Sequence, residues 1–200
     1  LNEAATVFLV ENDPAALRAL TATVKAVFPH VEAFRSAAEF LAAYHPGRPG
    51  CLVLDVALPG MSGLELQQKL SQEKISIPVI FATAHGNVSM AVKAMQMGAV
   101  NFLEKPVSEH ELWASIRKAL DLDAQNRRRL ARRQRVEERL ATLTPGERAV
   151  LDLILEGKLN KEIAAELGLS IRTVEDRRAK LMKKMGAKSL VELVRLAMTH

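Results

Sequence analysis

Cysteine is nearly absent: Cys51 is the only one in 200 residues. No disulfide framework and no cysteine-based zinc site can therefore form within the chain. Cys51 opens the apolar run CLVLDV and reads as a small core residue rather than a reactive thiol. No apolar run approaches the roughly 18 residues of a membrane span, and no signal peptide opens the chain, so a cytoplasmic protein with no membrane partner is expected. The turn ENDP after the first apolar run lacks the glycine-rich fingerprint of a nucleotide site. Residues 121–140 contain neither Gly nor Pro, and no strand signal follows Leu143.

What is present divides the chain. Residues 1–120 carry 10 Lys and Arg against 11 Asp and Glu, a balance of −1. Residues 121–140 carry 7 against 4 and residues 141–200 carry 11 against 8, each a balance of +3. A near-neutral front and a basic back predict two domains, the second facing a polyanion. In the front, the runs TVFLV (6–10), HVEAF (30–34), CLVLDV (51–56), PVIFAT (78–83) and VNFLE (100–104) alternate with helical patterns such as Leu17, Leu20, Val24 and Val27. Asp13-Pro14 is a helix start, with Asp as N-cap and Pro at the first position. Five β-α repeats with short connections predict a parallel sheet covered by helices on both sides. Residues 121–140 read as a helical linker. Behind it, Thr144-Pro145, Asn160 and Ser170 start three helices, and Gly157, Gly168 and Gly186 end them. A last short helix follows. Two of these helices joined by Gly-Leu-Ser make a helix-turn-helix.

In open parallel sheets, sites form at the carboxyl ends of the strands. Glu11, Asn12, Asp13, Asp55, Thr83 and the Glu104-Lys105-Pro106 segment fall there, bringing acids, a hydroxyl and an ammonium to one rim. The chemistry that uses them is phosphoryl transfer to a carboxylate. Asp55 is the nucleophile, a divalent cation lowers anion repulsion, Thr83 donates to the phosphoryl group, and Lys105 neutralises it. Pro59-Gly60 and Gly63 allow the tight loop that bares Asp55. A phosphatase is the enzymatic alternative, but Ala57 stands where its second acid belongs. The chain is therefore expected not to be an enzyme. His85 reads as an ordinary loop residue.

LVLDVALPGMSGLEL, FATAHGNVSMAVKAMQMGAVNFLEKP and the end of the first strand together resemble a two-component receiver domain over residues 5–120. The resemblance implies that a sensor histidine kinase phosphorylates Asp55, that Mg²⁺ is required, and that Thr83 and Phe102 form the switch. It also implies a cis Lys105–Pro106 bond. The metal set it implies is Glu11, Asn12, Asp55 and the backbone carbonyl of Ala57. Asn12 departs from the pattern, because a metal-binding carboxylate belongs there. An amide oxygen can still ligate Mg²⁺, but without the charge. Weakened metal binding and slower phosphorylation are expected, and the alternative is a pseudo-receiver not controlled by phosphorylation.

From Leu143 to Ala197 the chain resembles a LuxR-type DNA-binding domain, closest to the FixJ-type group. This implies that the helix after Ser170 enters the major groove. On that helix Val174, Leu181 and Met185 share an inward face. Arg172, Thr173, Arg177, Lys180, Lys183 and Lys184 are the expected DNA-facing groups, with Asn160 and Lys161 on the preceding helix contacting phosphate. Glu175 can accept from a cytosine N4. Asp176 reads a base, pairs with Arg172 or Lys180, or faces a gap. Arg178 lies nearer the buried side, where it can pair with a carboxylate.

The expected architecture is a flavodoxin-like α/β receiver with a five-stranded parallel sheet (1–120), a helical linker (121–140) and an all-α four-helix helix-turn-helix domain (141–200). The expected protein is a response-regulator transcription factor that forms a homodimer when active and binds promoter DNA.

Overall fold

The structure, a computed structural model, describes residues 5–198. The chain forms two compact units that divide between Arg127 and Arg128.

In the first unit, strands β1 (Thr6–Val10), β2 (Val31–Phe34), β3 (Gly50–Leu54), β4 (Val79–Thr83) and β5 (Asn101–Glu104) form one parallel sheet in the order β2-β1-β3-β4-β5. Helices α1 (Pro14–Lys25), α2 (Ala37–Ala43), α3 (Gly63–Gln72) and α4 (Val88–Gln96) connect them. The fifth helix, α5 (Glu109–Ala141), crosses the division between the units. Strands β1, β3 and β4 are buried at every position because both faces of the sheet are covered. Alternate residues feed two cores. Phe8, Val10, Leu52, Leu54 and Phe81 face one side, with Phe40 and Leu66. Val7, Leu9, Cys51, Val53 and Ile80 face the other, with Val24 and Ile116. Burial pushes the Cys51 thiol far above its ordinary pKa, which leaves it inert. Asp13 caps α1 through bonds from the amides of Ala15 and Ala16, with Pro14 at the first position.

In the second unit, α6 (Pro145–Leu155), α7 (Asn160–Leu167), α8 (Ile171–Met185) and α9 (Leu190–Met198) close on a core that includes Val150, Leu151, Ile163, Val174, Leu181, Met185 and Leu193. Val136 and Leu140, from the end of α5, belong to the same core. The turn between α7 and α8 depends on Gly168, whose φ of 64° is left-handed. One expected cap is corrected. Asn160 lies inside α7 and its N-cap is Leu159, whose amide donates to Glu162 Oε2 at 2.7 Å. The Asn160 amide oxygen is taken by Arg178, an amide partner where a carboxylate was expected.

Candidate functional site: a carboxylate pocket and a helix-turn-helix face

Strand order reverses at β1, which has β2 on one side and β3 on the other, and the crevice at such a point is where ligands bind. The β1–β3 register pairs Val10 with Leu54, so the next residues, Glu11 and Asp55, emerge side by side. The Asp55 amide donates to Val10 O at 2.9 Å, which ties that position down. β4 and β5 bring Thr83 and Lys105 to the same rim.

Lys105 organises the pocket. Its ammonium pairs with Glu11 Oε2 and stands 3.5 Å from Asp55 Oδ2. Both carboxylates are buried, so one cation balances two anions in a poorly solvated place. The second Glu11 oxygen accepts from the Asp13 amide at 3.0 Å. Asp55 Oδ1 accepts from the Ala57 amide at 3.2 Å. Thr83 is fully buried, and its hydroxyl accepts from the His85 amide at 3.3 Å. Asn12, Asp13 and Ala57 are exposed at the mouth, as is His85. Phe102 is half-buried against the core, 5.8 Å from Phe81 between ring centroids. Its ring closes on Gly86, where a Cβ would come within 2.8 Å of it and 3.3 Å of Thr83 Cγ2. The Lys105–Pro106 bond is cis.

In the second unit, α8 turns Val174, Leu181 and Met185 inward and leaves Arg172, Glu175, Asp176, Ala179, Lys180 and Lys183 exposed. Ser170 caps the helix by accepting from the Thr173 amide, and the two hydroxyls lie 2.8 Å apart.

These two sites have counterparts. The profile of the response regulator receiver domain matches residues 7–117, and that of the bacterial regulatory proteins of the luxR family matches residues 141–197. Nodulation protein W of Bradyrhizobium diazoefficiens is 44% identical over 195 residues, covering 98% of this chain and 86% of that protein. The transcriptional regulatory protein FixJ of Azorhizobium caulinodans is 42% identical over 196 residues, covering 98% and 93%. The solved structure of the response regulator StyR is 39% identical, covers 98% of each chain and superposes with a TM-score of 0.88. The chain is a response regulator of the FixJ type. It is a transcription factor with a receiver and a LuxR-type DNA-binding domain.

Receivers of this family use Mg²⁺ in phosphorylation, and the oxygen donors of the response regulator suit a hard cation. The pocket holds the two buried carboxylates of Glu11 and Asp55, with Asn12 exposed at its mouth. Among the described residues no group of three or more His, Cys, Asp or Glu side chains is placed to hold a metal.

The expected DNA-facing residues fall into two groups. Lys161, Arg172, Glu175, Asp176, Lys180 and Lys183 are exposed, and Asp176 pairs with Lys180 at 2.7 Å. Thr173 is half-buried beside Ser170. The others are committed within the domain. Asn160 holds Arg178, and the Arg177 guanidinium packs against Gly146, 2.7 Å from where a Cβ would stand. Lys184 donates to Thr142 O at 2.9 Å and to Glu147 Oε2 at 2.6 Å. Its partner Glu147 closes the capping box of α6 with Thr144. Spacing on a helical wheel put Lys184 on the outer face, but a flexible four-carbon stem lets the ammonium turn back to a buried carboxylate.

The Lys184 ammonium and the Thr144 amide hold the Glu147 carboxyl below its ordinary value of 4.5. A depressed carboxylate contributes stability above its unfolded pKa and loses it as pH falls through the folded one. Acid unfolding of the DNA-binding domain should therefore steepen below about pH 4.5, and Glu147→Gln should flatten that limb. Helical circular dichroism followed through an acid titration of both proteins reads the difference.

Sequence reasoning missed Asp123 and Arg127, which it placed in the linker. Asp123 is 2% exposed and accepts from the Gly50 amide at 3.0 Å and from Arg127 Nε at 2.7 Å. Arg127 also donates to the carbonyls of Pro46, Gly47 and Arg48. The available signal was an acid–arginine pair at i,i+4 within a helix, a spacing too common on solvated faces to stand out.

Proposed function

We propose that a sensor histidine kinase phosphorylates the receiver on Asp55, and that the modified protein forms a homodimer on promoter DNA in the cytoplasm. The supporting observation is the Lys105 ammonium held between Glu11 and Asp55. In the transfer, a carboxylate oxygen of Asp55 attacks phosphorus, the P–N bond of the donor phosphohistidine breaks, and the phosphoryl group ends as an acyl phosphate. Lys105 neutralises incoming charge, and Thr83 turns its hydroxyl from the His85 amide toward the phosphoryl oxygens. Phe102 then turns inward into the space that Thr83 leaves. Glu11, Asp55, the Ala57 carbonyl and the Asn12 amide oxygen would hold Mg²⁺, which when bound supplies positive charge against anion repulsion. Asp55 is consumed by this chemistry and must be regenerated, so the protein is a switch rather than an enzyme. On DNA, Lys161, Arg172 and Lys183 meet phosphates, Glu175 faces base edges, and Asp176 keeps its pairing with Lys180.

The exposed amide of Asn12 favours a second reading, a pseudo-receiver whose DNA binding is controlled by other means. One experiment separates the two. The protein is incubated with a small phosphodonor and Mg²⁺, and intact mass and dimer fraction are measured for the parent, Asp55→Asn and Asn12→Asp. The first reading expects a gain of one phosphoryl group and dimerisation in the parent, both lost in Asp55→Asn. It also expects Asn12→Asp to gain about tenfold in rate, the value of roughly 1.4 kcal/mol from one more partly solvated charge. A parent that stays unmodified while Asn12→Asp accepts phosphate establishes the pseudo-receiver.

A further inference from the structure

We infer that the arginine stripe at the start of the second unit, Arg128, Arg132 and Arg135, is a second DNA-contacting element that binds backbone phosphates beside the helix-turn-helix. The inference rests on DNA binding by the α6–α9 domain. These three residues lie on α5, spaced by four and then three positions. At about 100° per residue this places them within about 60° of one another on one face, along about 10 Å of helix. All three are exposed, and none of their side chains has a hydrogen bond or ion pair among the described residues. Between Asp123 and Glu137 there is no acidic residue at all.

That arrangement is unfavourable by itself. Like charges three and four residues apart repel along a helix, and Glu138, the one acid at such a spacing, does not offset it along the length of the stripe. A polyanion would. Guanidinium groups hold phosphate with two parallel hydrogen bonds and keep their charge at any physiological pH. Duplex DNA presents about one charge per 1.7 Å of axis, so a 10 Å stripe faces several. The stripe is also tethered to the DNA-binding domain. Val136 and Leu140 sit in that domain's core, and Arg139 Nη1 donates to Met185 O, at the end of α8, at 2.7 Å. Once α8 engages a groove, the three arginines are held at high effective concentration near the flanking backbone. Their contacts would add affinity and salt dependence and carry no sequence information.

The test uses the full chain and random-sequence duplex DNA of about 40 base pairs, with affinity followed between roughly 50 and 200 mM salt. The variants are the triple Arg128→Gln, Arg132→Gln, Arg135→Gln and, as a control with the same loss of charge, Arg18→Gln, Arg35→Gln, Arg117→Gln in the receiver. Glutamine keeps helix propensity, and circular dichroism checks it. Three lost phosphate contacts should reduce the slope of log K against log salt by about 2.7, so the parent should lose about 40-fold more affinity over that range than the stripe variant. The receiver control should keep the parent slope, and a triple Arg→Lys stripe variant should keep most of it. A stripe variant with the parent slope overturns the inference and leaves DNA binding by α8 standing, as does an equal change in the receiver control. A parent that binds no duplex at any salt overturns both.

Discussion

Gly63→Ala should destabilise the receiver by about 3 kcal/mol and slow phosphoryl uptake at Asp55, the upper end of what overpacking a core does. Gly63 is buried at the first position of α3, behind the N-cap Ser62. A Cβ there would lie 2.2 Å from the carbonyl oxygen of Asp55 and 3.1 Å from Leu54 Cγ. The obstructing atom is backbone, so no rotamer change relieves the contact. Either α3 withdraws, or Asp55 moves and its carboxylate leaves the reach of Lys105. Gly60, in the same loop, makes the contrast. Its φ of 77° is left-handed, but nothing lies within 4 Å of a Cβ there. Gly60→Ala should cost only the backbone strain, about 1–2 kcal/mol, with the pocket intact. Denaturant unfolding and the rate of mass gain with phosphodonor measure both variants. Equal behaviour of the two would show that the loop yields where it is drawn rigid.

Asp123→Ala should destabilise the same unit by about 2–3 kcal/mol. Breaking a buried ion pair usually costs about 3–5 kcal/mol, and the value is lowered here because Arg127 keeps 30% of its side chain in solvent. Removal orphans the buried amide of Gly50 at the start of β3 and frees Arg127 from the carboxylate that aims it at three carbonyls. Asp123→Asn keeps an acceptor and should lose less. A chain ending at residue 120 should unfold at lower denaturant than one ending at 127, because only the longer one closes this clamp. Unchanged midpoints would mean that water replaces the clamp at no net loss.

The fold was largely legible. Runs buried on both faces read as continuous apolar strands, and the five expected strands lie where their runs stand: β1 keeps its bounds, β2, β4 and β5 each start one residue later, and β3 runs from Gly50 to Leu54 instead of from 51 to 56. The caps Asp13, Thr144 and Ser170 were legible because a cap is a local bond between a side chain and amides two or three residues on. Asn160 misled for the same reason. It is a good cap by type, but a long-range donor, Arg178, took its oxygen.

Local chemistry and period therefore determined much from the sequence by itself: two domains, their fold classes, the strand-end rim that gathers Glu11, Asp55, Thr83 and Lys105, and the inward face of α8. Those depend on spacing along the chain and on strand order, which short right-handed connections constrain. Tertiary structure alone decided which charges are spent. Lys105 is shared between Glu11 and Asp55, Lys184 turns inward to Glu147, Arg178 goes to Asn160, and Asp123 with Arg127 leaves the linker to hold the start of the central strand β3. A long charged side chain can reach partners in many directions, so its sequence position does not fix where its charge ends. Only the packed neighbours, which set where an unpaired charge would be desolvated, select the partner.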